Sequence, residues 1–300
     1  MVALDILGNL FVQLVFTVGF VLLYGGMISL CNRFFYDACG DSAFGIVRVT
    51  GYIGTPVHEL SHALMCLLFG HSIKKICMFG DSKRSRTLGY VEHTYYRDNF
   101  YHQIGNFFIG ISPILAGGAV ILLLVRLLTP GIYFGMSVET LAIRTAFAEG
   151  SFVEAVASLF RGIVSMFGEL FALDHFRDWR WWLCMVLALS IALHMEVSRS
   201  DIVSGLRGLC FISIMLLVAD IILGLLFPSA LVAVTSACVV TGIFFALLML
   251  IPLVFSLVLG FISLIILFLR ASAKSIQNDR AEPAVNHHTA PARRRSTRKK

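Results

Sequence analysis

Two histidines and a glutamate stand in an otherwise apolar stretch, GTPVHELSHALMCLLFG, at residues 54–70. Their spacing is His-Glu-x-x-His, from His58 through Glu59 to His62. On an α-helix, residues four apart lie on the same face, so both imidazoles can bind one Zn²⁺ ion. Glu59 lies beside them, where a carboxylate can take a proton from a zinc-bound water and later return it to a leaving amine. The pattern therefore predicts a zinc site for peptide hydrolysis.

The alternative interpretation is a pair of helix histidines that hydrogen-bond to neighbouring polar groups. That interpretation must also account for Glu59, because a charged side chain at membrane depth costs about 3 kcal/mol or more unless it is paired or hydrated. A zinc ion in a water-filled pocket accounts for all three side chains together. We therefore favour a metal site.

The composition indicates the environment of this motif. Hydrophobic residues make up 58% of the 300 residues and charged residues 14%, with a mean hydropathy of +0.84. Soluble domains carry about 25% charged residues, so the chain is expected to be an all-α integral membrane protein. About six transmembrane helices are predicted from the long apolar runs, which cover residues 7–30, 43–70, 103–125, 181–195, 202–227 and 231–269.

The chain is expected to form one membrane domain over residues 1–270 and a disordered basic tail over 271–300. The run at 231–269 is too long for one untilted span, so it crosses either once or twice. One long helix is favoured, because a single crossing leaves the basic tail on the cytoplasmic side.

Two elements outside the spans are also predicted. The β-prone segments IKKICMF and LGYVEHTY flank a turn and indicate a hairpin between the second and third spans. Lysines and arginines cluster in this region, which places it in the cytoplasm by the positive-inside rule. Residues 151–173 repeat apolar residues at helical spacing with charges between them, which predicts an amphipathic helix at the membrane interface.

The motif and its surroundings resemble the site-2 protease family of intramembrane zinc metalloproteases. VHELSHALMCLLFG, followed by a basic segment and MFG, matches the helix of that family closely over 54–70 and the hairpin region loosely. The resemblance implies a multi-pass protein with its active site toward the cytoplasm. It also implies an endopeptidase that cuts transmembrane segments of other membrane proteins, with Glu59 as general base.

A catalytic zinc needs a third protein ligand. The candidate stretch is HMEVSRSDIVSG, at 194–205, and by the resemblance Asp201 would be that ligand. The stretch departs from the family motif, since His194 stands where the family has Asn, no proline follows, and Ile202 comes after the aspartate. His194 is therefore an alternative ligand, or a donor to the oxyanion. Asp201 could also simply cap the following helix.

A further candidate wall of the substrate site is GNFFIGISPILAGG, at 105–118, where Asn106 could donate hydrogen bonds. Ordinary packing of small residues explains most of that stretch equally well.

Two other functions stay open at this point. One is a non-catalytic membrane factor, or pseudoprotease, although a purely structural zinc has no use for Glu59. The other is a surface-acting membrane zinc protease of another family, with a downstream glutamate as third ligand. The expected partners are the lipid bilayer and a substrate protein with a transmembrane helix, and no nucleic acid. The sequence identifies neither the substrate nor the oligomeric state.

Overall fold

The structure is a computed structural model that describes residues 2–80, 88–149 and 152–281. Within these residues the chain forms nine α-helices and one two-stranded sheet, which confirms the predicted all-α class with a small hairpin. The helices are α1 (Val2–Leu14), α2 (Phe20–Cys39), α3 (Ala43–Leu68), α4 (Phe100–Leu128), α5 (Pro130–Glu149), α6 (Phe152–Leu170), α7 (Trp179–Leu193), α8 (Arg199–Leu226) and α9 (Pro228–Ala281). The strands are β1 (Ser72–Cys77) and β2 (Tyr90–Thr94).

Five helical segments are long and apolar enough to cross a membrane, so the prediction of about six is corrected. They are Leu4–Leu68, Phe100–Leu128, Val156–Arg177, Arg199–Leu226 and Met249–Lys274. The first segment joins two predicted spans and is continuous except for a π-helical stretch at Val15–Gly19 and a 3-10 turn at Gly40–Ser42. α7 has 15 residues, about 22 Å of helix, and is shorter than the roughly 30 Å hydrocarbon core. The helices are those of a multi-pass membrane protein.

The long apolar run near the C-terminus forms a single helix. α9 contains Pro252 and does not reverse direction between residues 231 and 269. The expected boundary at residue 270 lies inside this helix, because the residues that follow, ASAKSIQ, tolerate helical conformation well. The remainder of the predicted tail, 282–300, lies outside the described residues.

The segment predicted as an amphipathic helix is α6. It packs against α5, where Ser165 Oγ donates a hydrogen bond to Glu139 Oε1 over 2.8 Å. The Val156–Arg177 segment is also apolar and long enough to span. Its expected place at the membrane interface therefore stays a prediction.

The hairpin follows the end of α3. β1 and β2 pair antiparallel, with Ile73 opposite His93, and a bulge between Ile73 and Lys75 shifts the register. The tip of the hairpin, 81–87, lies outside the described residues. Both strands contact α3, so the sheet lies against the helix that carries the motif.

α4 brings the remaining elements to that helix, because it packs against α3, α7 and α8. The contact with α8 is close at Gly110. A Cβ added there would lie 2.7 Å from the carbonyl oxygen of Asp201 and 3.1 Å from the Cα of Gly205. Glycine at position 110 therefore lets the first turn of α8 reach the motif helix.

A buried polar contact joins three helices away from this junction. Asp220 on α8 is 1% exposed, and its Oδ1 accepts a hydrogen bond from Gln13 Nε2 of α1 over 3.1 Å. Gln13 Nε2 also donates to Thr235 Oγ1 of α9 over 3.0 Å.

We expect Asp220→Leu to lower the free energy of unfolding by about 1–2 kcal/mol, because it removes the acceptor of Gln13 inside the bundle. Asp220→Asn keeps an acceptor oxygen and should lose less. Thermal unfolding in detergent measures both variants. Equal stability of Asp220→Leu and wild type would show that this contact does not hold the bundle together.

Candidate metal centre

A cavity of about 500 Å³ opens where α3, the hairpin and the loop between α7 and α8 meet. This cleft is lined by polar side chains that can bind metal ions or carry protons, and by apolar side chains around them. The polar side chains that line it include those of His58, Glu59, His62, His93, His194 and Asp201. Residues that are far apart in the sequence thus share one chamber.

Both histidines of the motif have their Nδ1 atom against a backbone carbonyl. His58 Nδ1 lies 2.7 Å from the carbonyl oxygen of His194, and His62 Nδ1 lies 2.9 Å from that of Ile109. Because a carbonyl oxygen can only accept, each Nδ1 carries the proton and each Nε2 keeps its lone pair. Metal-binding histidines are held in this way, with the second nitrogen donating to an outer partner.

The two Nε2 atoms face each other at 3.2 Å. Two imidazole lone pairs at this distance repel each other unless a proton or a metal ion lies between them. Two nitrogens that each bind a tetrahedral zinc at 2.0–2.1 Å are about 3.3 Å apart. The separation of His58 and His62 therefore fits two ligands of one metal ion.

Asp201 completes the group. One ligand atom from each of His58, His62 and Asp201 lies within 4.8 Å of the others, and Asp201 Oδ2 is 3.6 Å from His62 Nε2. The same carboxylate also caps α8. Its Oδ2 accepts a hydrogen bond from the backbone N–H of Ser198 over 3.0 Å, while the N–H of Asp201 donates to Ser198 Oγ over 3.2 Å. The capping box thus holds the carboxylate beside His62, and the two roles considered for Asp201 are compatible.

Glu59 lines the cleft and is 7% exposed. The helix places it one position after His58, so its carboxylate lies at the side of the histidine pair. The backbone at Gly89, just before β2, packs against the Glu59 side chain, since a Cβ added there would lie 2.7 Å from Glu59 Cγ. The hairpin therefore covers the carboxylate and limits its contact with solvent.

His194 contributes to the site through its backbone. Its carbonyl oxygen accepts from His58, while its own Nδ1 donates to the carbonyl of Ser190 over 2.8 Å. Its imidazole is not part of the three-ligand group that the described residues form. The imidazole lines the cleft, and its Nε2 is buried without a hydrogen-bond partner among the described residues, so its role as an alternative ligand or oxyanion donor stays a prediction.

Asn106 lies on α4, where it is fully buried against α8 and does not line the cleft. Its Oδ1 accepts a hydrogen bond from Ser204 Oγ over 3.2 Å, and its Nδ2 donates to Gln103 Oε1 over 3.3 Å. Asn106 therefore joins the two helices that carry Ile109 and Asp201. The structure does not bring it to the wall of the cleft.

Sequence reasoning missed two contributors to the site. The carbonyl of Ile109 orients His62, and His93 reaches the cleft from β2. Alternation along GYVEHTY places Val91 and His93 on the same face of a strand, which is the signal that could have identified His93. Burial, together with the neighbouring His71, lowers the pKa of His93, which favours its neutral ring.

The chain matches no protein-family model, no curated protein and no solved structure. Its function is therefore inferred from the chemistry of the site. Two imidazoles and one carboxylate can hold a divalent metal ion. Glu59 adds a group that can accept and return a proton in the same cleft.

We expect Asp201→Asn to lower the affinity for Zn²⁺ by more than about 100-fold, since it removes the charged ligand. Ser198→Ala removes the partner that positions Asp201 and should cost about 1 kcal/mol of stability, with a smaller loss of affinity. Competition with a chelating indicator measures affinity, and thermal unfolding of the metal-free protein measures stability. If Asp201→Asn binds Zn²⁺ as tightly as wild type, Asp201 is only a helix cap.

Proposed function

We propose that this protein is a zinc-dependent intramembrane endopeptidase that resembles the site-2 protease family. The observation that carries the proposal is the group of His58, His62 and Asp201 beside Glu59, in a cleft along the apolar helix α3. The substrate class is the transmembrane segment of another membrane protein.

The residues fit zinc by number and kind. A catalytic zinc site takes three protein ligands from His, Asp or Glu and leaves one position open. When bound there, zinc polarises a peptide carbonyl and lowers the pKa of a water to about 7. Glu59 accepts the proton of the attacking water at its carboxylate and returns it to the nitrogen of the leaving amine. The backbone carbonyls of His194 and Ile109 keep both imidazoles oriented during these steps.

An apolar cavity supports access from the lipid. It has a volume of about 240 Å³ and lies among α2, α4 and α8, where small residues such as Gly25 and Gly205 line it. It shares Val197 and Asp201 with the cleft. A substrate helix that packs between these helices would reach the metal ligands without crossing a polar surface.

The hairpin supports binding of an extended substrate. Hydrolysis requires a peptide bond that is free of helical hydrogen bonds, and such a segment needs partners for its backbone in a membrane. β2 pairs with β1 on one side, and Tyr90, Val91 and His93 line the cleft. The other edge of β2 can add a substrate strand through main-chain hydrogen bonds.

The two other candidate functions have less support. A pseudoprotease would hold a structural zinc and would not need a buried carboxylate at Glu59. A surface-acting zinc protease would use a downstream glutamate as third ligand. Glu92, the glutamate of the hairpin, is exposed and lies 4.0 Å from Lys75 Nζ, outside the three-ligand group.

The proposed orientation has the cleft toward the cytoplasm, with the C-terminal tail on the same side. The support is the cluster of basic residues around the hairpin, of which Lys74 and Lys75 lie on β1.

The proposal predicts that purified protein cleaves single-span substrates within their transmembrane helices. The test uses proteoliposomes that contain a mixture of single-span proteins with Gly or Asn in the middle of the span, and mass spectrometry identifies the cut sites. We expect Glu59→Gln to lower the rate by at least about 100-fold, because it removes the proton acceptor, while zinc stays bound.

Glu139→Gln is the matched control, since it makes the same chemical change on α5, away from the residues that line the cleft, and it should cleave like wild type. Products that are equally abundant with Glu59→Gln would contradict the proposal. A zinc-loaded wild type that cleaves nothing would favour the non-catalytic factor, and cuts confined to segments outside the spans would favour a surface-acting protease.

A further inference from the structure

A second group of possible metal ligands lies next to the first. Cys66, His71 and His93 each offer one ligand atom, and these atoms lie within 4.8 Å of one another. Cys66 is 0% exposed and His71 is 3% exposed. Cys66 follows His62 by four residues, so the two groups are about 6 Å apart along α3. None of these three side chains belongs to the group of His58, His62 and Asp201, although His93 also lines the cleft.

The end of α3 brings the first two ligands together. Gly70 has a φ of +72°, a left-handed conformation that reverses the chain after the helix. The backbone N–H of His71 then donates to the carbonyl of Cys66 over 2.8 Å. Because of this turn, the imidazole of His71 lies beside the thiol. His93 reaches the same point from β2, where it stands opposite Ile73.

The hydrogen bonds of His71 determine which of its nitrogens can bind a metal. Its Nε2 lies 3.0 Å from the carbonyl oxygen of His102, which can only accept, so Nε2 carries the proton. Its Nδ1 therefore has a lone pair and lies 3.1 Å from Nδ1 of His93. The ring also stacks on Tyr95, with centroids 4.9 Å apart, which limits its rotation. His71 is therefore held as His58 and His62 are, with a backbone carbonyl at its outer nitrogen.

An ordinary hydrogen bond from His93 Nδ1 to His71 Nδ1 accounts for the two imidazoles alone. Burial alone is ordinary for a cysteine, but the thiol of Cys66 also lies within 4.8 Å of a ligand atom of each imidazole. Thiolate with imidazole is a ligand set that suits zinc, and zinc-bound nitrogens are about 3.3 Å apart. Metal binding explains all three groups.

We infer that Cys66, His71 and His93 bind a second zinc ion, which joins the hairpin to the end of the motif helix. The ion would link β2, which forms a wall of the cleft, to α3, which carries the catalytic ligands. This second site does not depend on peptide hydrolysis at the first one. Its chemical signature is the thiolate, which the first site lacks.

Cobalt substitution tests the inference. Metal-free protein in detergent is titrated with Co²⁺, and absorption in the near ultraviolet reports sulfur-to-cobalt charge transfer. Wild type should bind about two ions per chain and show this band. Cys66→Ser should bind about one ion and lose the band. Cys77→Ser, which changes a cysteine of β1 outside the cluster, should keep it.

Two further variants separate this site from the first. The His58→Ala, His62→Ala double variant should lose one ion but keep the charge-transfer band. His93→Asn removes one imidazole ligand and leaves Cys66 unchanged. It should weaken the binding of the cobalt ion that gives the charge-transfer band by more than about tenfold. This variant tests the site even if Cys66→Ser does not fold. A wild type without the band, or a band that persists in folded Cys66→Ser, would overturn the inference and leave a simple hydrogen bond between His71 and His93.

Discussion

The site depends on the orientation of two imidazoles within a membrane helix. His58 and His62 each donate from Nδ1 to a backbone carbonyl, one at the end of α7 and the other on α4. These two bonds leave two lone pairs facing each other at 3.2 Å, which is unfavourable without a cation between them. Because the acceptors belong to two different helices, α3 can keep this arrangement only while it is packed between them. The geometry of the metal site therefore depends on the packing of α3 against α4 and α7.

The position of Asp201 follows from the same packing. Asp201 lies in the first turn of α8, where the helix dipole and the N–H groups stabilise a negative charge. The close contact of α8 with α4 at Gly110 then brings this charge near the imidazoles. The negative charge of Asp201 would balance a cation bound by His58 and His62, and the hydrogen bond from Ser198 already holds this carboxylate in place. The hairpin forms another wall of the cleft and covers Glu59.

The sequence predicts the parts of the site that depend on local spacing. The shared face of His58 and His62 follows from helix periodicity, and the hairpin follows from β-prone segments around a turn. The backbone acceptors, the place of Asn106 and the approach of His93 depend on contacts between distant elements, which spacing does not encode. The count of spans was wrong because the runs at 7–30 and 43–70 belong to one continuous helical segment, and the run at 181–195 forms a helix of only 15 residues. α5 was missed because polar residues interrupt its apolar run, although Pro130 is a common first residue of a helix.

An anomalous difference map at the zinc absorption edge, from crystals of the full chain grown with zinc, would show whether the cleft holds a metal ion. We expect a peak bonded to Nε2 of His58, Nε2 of His62 and a carboxylate oxygen of Asp201. A well-ordered cleft without a peak, or a peak that only Cys66, His71 and His93 surround, would contradict the central claim that the His-Glu-x-x-His helix holds a metal ion.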